Sequence, residues 1–156
     1  MKSLRFECYA FSELSIELLY AILKLRQEVF IVEQTCYYLD ADDKDQLSYH
    51  VIGFDGSNVP IAYARLVPKG VSYQDYGSIG RILTSTSYRG QGAGKELMRQ
   101  SLLHYAQTIN YFPIKISAQS HLLSFYQAFG FVSTREDYLE DGIPHTAMTL
   151  SHKSTI

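Results

Sequence analysis

The chain predicts a mixed α/β fold: one domain over residues 1–156, about seven strands in a mixed sheet, with flanking helices. Three observations carry that expectation. Several short apolar segments have strand length and are bounded by turn residues. Two longer segments repeat apolar residues at helical spacing. Between a strand and one of those helices lies a basic, glycine-rich turn, Arg89-Gly90-Gln91-Gly92-Ala93-Gly94. With 156 residues, 46% hydrophobic and 19% charged, the chain is long enough to bury roughly two-thirds of its unfolded surface.

The elements follow in order. Leu4 to Tyr9 reads as a first strand. Ser12 or Ser15 can cap a helix with a core face of Leu18, Ile22, Leu25 and Val29, ending near Val32 to Gln34. Asp40 to Asp45 is expected as an exposed acidic loop. Ser48 to Phe54 and Val59 to Val67, joined through Asp55-Gly56-Ser57-Asn58, read as a β-hairpin. Ser78 to Thr84 is another strand, where Gly80 marks a bulge or a close backbone approach. The helix from Gln91 to Thr108 turns Leu97, Leu102, Tyr105 and Ile109 to the core. Pro113 precedes the strand Ile114 to Ala118, for which parallel pairing with Ser78 to Thr84 is expected. His121 to Phe129 is a short helix closed by Gly130, and Phe131 to Tyr138 and Ile143 to Leu150 form a last hairpin.

The bulk properties narrow the function. A formal charge of −2 gives no reason to expect nucleic acid or an anionic membrane as partner. No apolar stretch approaches the ~20 residues of a membrane span. Met1 to Ala10 mixes Arg5 and Glu7 and does not read as a secretory signal. Cys8 and Cys36 have no metal spacing and read as reduced thiols, so a cytoplasmic setting is expected. No histidine pair has ligand spacing, and no metal is expected.

The glycine turn carries the chemistry. First-turn N–H groups of a helix lack internal partners and point their partial positive charge at an anion, and glycines let a phosphate approach the backbone. Two common phosphate loops fail here. A dinucleotide fingerprint begun at Gly90 finds Lys95 at its third glycine, with no acidic residue about twenty positions on. A Walker A loop would need glycine at Arg89 and a hydroxyl at Glu96. The spelling that fits is Arg-x-x-Gly-x-Gly, with Arg89, Gly92 and Gly94. It resembles the coenzyme A loop of the GNAT superfamily of N-acetyltransferases.

Further segments extend the resemblance. Gln119 to Phe131 looks like that superfamily's Asn-x-x-Ala-x-x-x-Tyr-x-x-x-Gly-Phe helix, with Gln119 and Leu122 replacing the usual Asn and Ala. Leu25 to Gln34 and Asp141-Gly142-Ile143-Pro144-His145 are similar to the ElaA-like branch, although Cys36-Tyr37-Tyr38 lacks that branch's proline. The resemblance implies a sheet whose central strands splay to hold coenzyme A. It implies acetyl-CoA as co-substrate, contacted by Ile82, Leu83, Thr84, Arg89, Gly90, Gln91, Gly92, Ala93, Gly94, Lys95, Gln119 and Ser124. Arg26, Glu33 and His145 are the implied acceptor-side residues. The acceptor is a small-molecule or peptide amine, and a homodimer is allowed.

Direct acyl transfer from a thioester to an amine asks for four things: a held cofactor, a polarised carbonyl, a deprotonated amine and a protonated thiolate. Tyr126 falls where the superfamily's tyrosine serves the leaving thiolate. With a tyrosine pKa of ~10 against a thiol of ~8.5, full proton transfer is uphill by roughly 2 kcal/mol. A proton acceptor would help the amine, because an alkylammonium of pKa ~10.4 is disfavoured as the neutral form by about 4.6 kcal/mol at pH 7. Strand 78–84 contains no carboxylate. Glu33, His121 or His145 is therefore expected to substitute. Arg65 and Arg81 are read as members of structural ion pairs or as solvent-facing. Two rivals stay open: a coenzyme A-binding sensor with weak turnover, and an interaction module using apolar strand edges.

Overall fold

The structure, a computed structural model, describes residues 4–152, so both ends of the expected 1–156 domain lie outside it. Strands β1 (Arg5–Ala10), β2 (Tyr49–Phe54), β3 (Pro60–Val67) and β4 (Ser78–Thr84) form an antiparallel sheet in that order. Helix α1 (Ile16–Arg26) covers one face and α2 (Ala93–Thr108) packs on β2, β3 and β4 from the other. Alternation explains the sorting. Ala62, Ala64 and Leu66 of β3 meet Leu97, Met98 and Leu102 of α2, while Tyr63, one position out of phase, joins Ile22, Leu25 and Val29 of α1 and its continuation. Because both faces are covered, β2 and β3 are buried almost throughout.

Strands β5 (Ile114–Gln119), β7 (Ile143–Leu150) and β6 (Val132–Glu140) make a second antiparallel sheet in the order β5-β7-β6. Helix α3 (Leu123–Gln127) follows β5 through a short 3₁₀ turn at Ser120–Leu122. Ile114, Ile116, Met148 and Leu150 join the core beneath α2, so one apolar cluster runs under both sheets.

The first helix starts as its capping residue dictates, with Ser15 Oγ accepting the Leu18 N–H at 3.1 Å. It reaches the expected end, but from Gln27 to Glu33 it widens into a π-helix, a form often found at functional sites. The expected parallel pairing of β4 with β5 is confined to one bridge, Gly77 with Ile114. There the Lys115 N–H donates to Gly77 O at 2.9 Å and the Gly77 N–H donates to Pro113 O at 3.2 Å. Only glycine fits at 77, since a Cβ would lie 1.5 Å from the Tyr105 hydroxyl. Beyond that bridge β4 and β5 part into separate sheets.

Candidate active site

The parting leaves a cleft of about 1020 Å³ whose walls include β4, β5, the end of the π-helix and the β6–β7 hairpin. An unpaired β4 edge supplies free backbone groups, and a bulge re-aims them. Tyr63 pairs with Leu83 but Arg65 pairs with Gly80, which places one extra residue on β4. The bulge expected at Gly80 is present; its left-handed residue is Arg81, at φ +53°. Left-handed backbone in a non-glycine residue costs roughly 1–2 kcal/mol, and here the arginine is held from outside. Arg81 Nε donates to Asp40 Oδ1 at 2.7 Å, and the guanidinium lies 5.4 Å from the Tyr38 ring centre. Ile82, Leu83 and Thr84 all line the cleft.

The glycine loop opens α2 at one end of this cleft. Gly92 is the N-cap at φ +84°, with no side-chain cap. The first helical bond is Glu96 N–H to Gly92 O at 3.1 Å, so the N–H groups of Ala93, Gly94 and Lys95 have no helical acceptor. A Cβ on Gly90, Gly92 or Gly94 would meet nothing within 4 Å. That open, donor-rich surface fits a diphosphate. Arg89 and Gly94 line the cleft itself.

Glu33 and Arg89 face each other across the cleft mouth. Arg89 Nη2 donates to Glu33 Oε2 at 2.9 Å, Nη1 donates to Oε1, and Thr86 Oγ1 donates to Oε2 at 3.4 Å. The Arg89 hydrogen bonds hold the Glu33 carboxyl below its ordinary value. Glu33, one of the three expected proton acceptors, is thus a carboxylate engaged by Arg89.

Tyr126 is 7% exposed and borders the cleft, and burial pushes its hydroxyl up to about 12. Edge contacts with Phe125 and Phe131 fix the ring. Gln119 and His121 also line the cleft, and Gln119 Nε2 donates to Gln34 Oε1 at 3.5 Å. Ser124, exposed on α3, is outside the lining, as are Gly90, Gln91, Gly92, Ala93 and Lys95 of the loop.

Two expectations need correction. Arg26 does not face an acceptor: its side chain is 1% exposed, with Nε donating to Asp40 Oδ2 at 2.7 Å, Nη1 to Asp45 Oδ1 at 2.8 Å and Nη2 to Asp40 O at 2.9 Å. Nor is the 40–45 segment an exposed acidic loop. Asp40 and Asp45 are buried, and Arg65 bridges Asp42 and Asp45 at 2.7 and 2.9 Å. Three arginines on apolar elements (26, 65 and 81) must find carboxylates, and this segment supplies them. Burial alone raises the Asp42 carboxyl, but Arg65 and then Arg81 outweigh it and hold it at about 2. His50 closes the cluster. Its Nε2–H donates to Asp45 O at 2.9 Å, and its Nδ1 accepts from the Tyr63 hydroxyl at 2.7 Å.

On the facing wall, His145 is 8% exposed; its Nδ1–H donates to Ile143 O at 2.7 Å and its Nε2 lies 3.3 Å from Glu140 Oε2. Ser117 Oγ donates to that same Glu140 oxygen at 2.9 Å, and the Tyr138 ring stacks on the imidazole. Cys36 Sγ, 3.6 Å from Asp141 O, ties the segment after the π-helix to this hairpin. No sequence motif singles out Glu140. The available signal was two-residue alternation, which puts Tyr138 and Glu140 on one face with their partner strand's His145.

Comparison with known proteins agrees with this geometry. Residues 30–152 match the GNAT acetyltransferase domain, and the chain belongs to that family of acyltransferases. More particularly, it is similar to ElaA of Escherichia coli, with 40% identity over 139 residues, 88% of this chain and 90% of ElaA. A UPF0039 protein of Synechocystis is 41% identical over 138 residues, 88% of this chain and 89% of that one. Among solved structures, E. coli ElaA matches with a TM-score of 0.84 at 37% identity, over 93% of this chain and 98% of ElaA. An acyl-CoA N-acyltransferase from Pseudomonas aeruginosa matches at 0.88 and 38% identity, over 96% and 100%.

Proposed function

We propose that this acyltransferase moves an acetyl group from acetyl-CoA directly to a primary amine. The observation that carries the reading is the gap between β4 and β5 beyond the Gly77–Ile114 bridge, with the glycine loop and Tyr126 on the same cleft. Acetyl-CoA brings an activated thioester; the chain's own residues do the rest. N–H groups at the start of α2 bind the diphosphate, with Arg89 at the mouth and Gln119 and Ser124 as further contacts. Freed N–H groups of β4 around Ile82 and Leu83 receive the acyl oxygen, where charge develops as the amine attacks.

Tyr126 serves the departing sulfur. With its hydroxyl near 12 and a thiol near 8.5, full proton transfer is uphill by about 5 kcal/mol. Stabilising the thiolate through a hydrogen bond is the role that fits. A second reading, a coenzyme A-binding sensor, draws support from Glu33, whose carboxylate is engaged by Arg89.

Isothermal titration with acetyl-CoA, followed by thiol release across a panel of primary amines, tests the reading. Micromolar binding with amine-dependent thiol release is expected. Binding without release from any amine would leave the sensor, and no binding would remove both.

A further inference from the structure

Four carboxylates border the cleft: Glu33, Asp42, Glu140 and Asp141. Arg89 holds Glu33 by both oxygens, and Arg65 and Arg81 hold Asp42. Asp141 stands in the exposed hairpin turn at φ +48°. Glu140 differs from all three. No arginine contacts it among the described residues; its Oε2 accepts from Ser117 Oγ at 2.9 Å and has His145 Nε2 3.3 Å away. Its side chain remains 51% exposed.

Its position along the split is also readable. β4 and β5 leave the Gly77–Ile114 bridge in the same direction. Counting up both strands sets Ser117 beside Gly80 and, allowing for the extra residue of the β4 bulge, Gln119 beside Leu83. His145 is the cross-strand partner of Gln119. The Ser117–Glu140–His145 group therefore stands level with the β4 bulge, across the gap from the N–H groups that would receive the acyl oxygen. Tyr73, from the 68–77 loop, Tyr138 and Glu136, from β6, and Lys115, from β5 and paired with Glu136 at 3.5 Å, are titratable neighbours on the other sides. Burial first, then the charges of Tyr138 and Glu140, push Tyr73 up to about 12.

We propose that Glu140 is the proton acceptor for the attacking amine, with His145 and Ser117 as its positioning residues. The assignment rests on the acetyltransferase reading above. One ammonium proton passes to the Glu140 carboxylate and on to solvent, which frees the nitrogen lone pair. That pair forms the C–N bond to the carbonyl carbon. The C–S bond breaks with its electrons on sulfur, and the nitrogen's remaining surplus proton goes to the thiolate, so charge and protons balance. With its Nδ1–H donating to Ile143 O, neutral His145 presents the Nε2 lone pair to Glu140, so it accepts from the carboxyl once Glu140 has taken the proton.

The test compares wild type with Glu140→Gln and His145→Gln, using an amine that the wild type acetylates, across about pH 6 to 10. Glu140→Gln is expected to lower kcat/KM about 100-fold near pH 7. Acetyl-CoA affinity should stay within about twofold, because the diphosphate cradle is untouched. The deficit should shrink to within about threefold as the pH nears the amine's own pKa, where no acceptor is needed. His145→Gln should lower kcat, not raise KM, and shift the acid limb of the pH profile. A Glu140→Gln enzyme with the wild-type rate and pH profile would overturn the assignment while leaving the acetyltransferase reading intact. A wild type that binds acetyl-CoA but acetylates no amine would overturn both.

Discussion

Glu33, the last residue of the π-helix, and Arg89, the first of the glycine loop, are joined by a two-pronged ion pair across the cleft mouth. The arginine that would greet an incoming diphosphate already has an anion on it. Competition follows. Glu33→Gln should tighten acetyl-CoA binding, by up to about fivefold, the value of an exposed ion pair. Titration calorimetry reads this directly, and weaker binding by the variant would contradict it.

The cradle can be tested without disturbing the fold. Gly94 lies in the first turn of α2, its φ is not in the left-handed region, and a Cβ there meets open space. Aspartate at that place favours the helix dipole, so the melting temperature of Gly94→Asp should hold or rise slightly. Acetyl-CoA affinity should nevertheless fall by about 100-fold or more, because the carboxylate occupies diphosphate space. Unchanged affinity would remove the loop from the site. The same change at Gly92 would confuse charge with backbone strain, since φ there is +84°.

Tyr126→Phe should cut kcat by about 10- to 100-fold and leave the acetyl-CoA dissociation constant within about twofold. The ring's packing against Phe125 and Phe131 survives the substitution. Equal turnover in the two proteins would dismiss the hydroxyl from the chemistry.

Arg26 offers a clean separation of structure from substrate contact. Replacing it with methionine strands Asp40 and Asp45 without their inner partner, a loss of about 3–5 kcal/mol by the behaviour of broken buried pairs. Urea unfolding should show that loss. A rise in the amine's KM with full stability would mean instead that Arg26 meets the acceptor.

Stability should also fall on the acid side in two stages. Burial lowers the His50 pKa below 6.5, and its ring is bonded as the neutral form, so unfolding takes up a proton. That contribution is complete above about pH 6.5 and declines below it. Asp42, held at about 2 against 3.8, contributes on the order of 2 kcal/mol, present above about pH 4 and lost between there and about pH 2. Asp45, also lowered, adds to the second stage. Melting temperatures at steps of one pH unit would show both, and His50→Gln should flatten the first.

Local signals made most of this architecture legible. Ser15, the apolar spacing of α1 and α2, and the turn at Asp55–Asn58 predicted their elements because each acts over a few residues. The glycine loop was readable for the same reason: its donors and open faces belong to one short segment. Pairings between distant residues were not. Asp40, Asp42 and Asp45 look like a solvated run until Arg26, Arg65 and Arg81 are seen to converge on them. A lone arginine in an apolar strand such as β3 was a hint that a carboxylate must come to it. Glu33 and Glu140 teach the same lesson: sequence position alone does not say which carboxylate an arginine engages and which stays available.

Two half-sheets hinged at Gly77 resemble a seam left unsewn. A linear guest with amide groups of its own, lying along β4, would act as a temporary extra strand and knit the halves together. The loaded protein should then melt later than the empty one in proportion to the logarithm of guest concentration. Backbone amides of β4 above the hinge should be the ones whose deuterium uptake slows most.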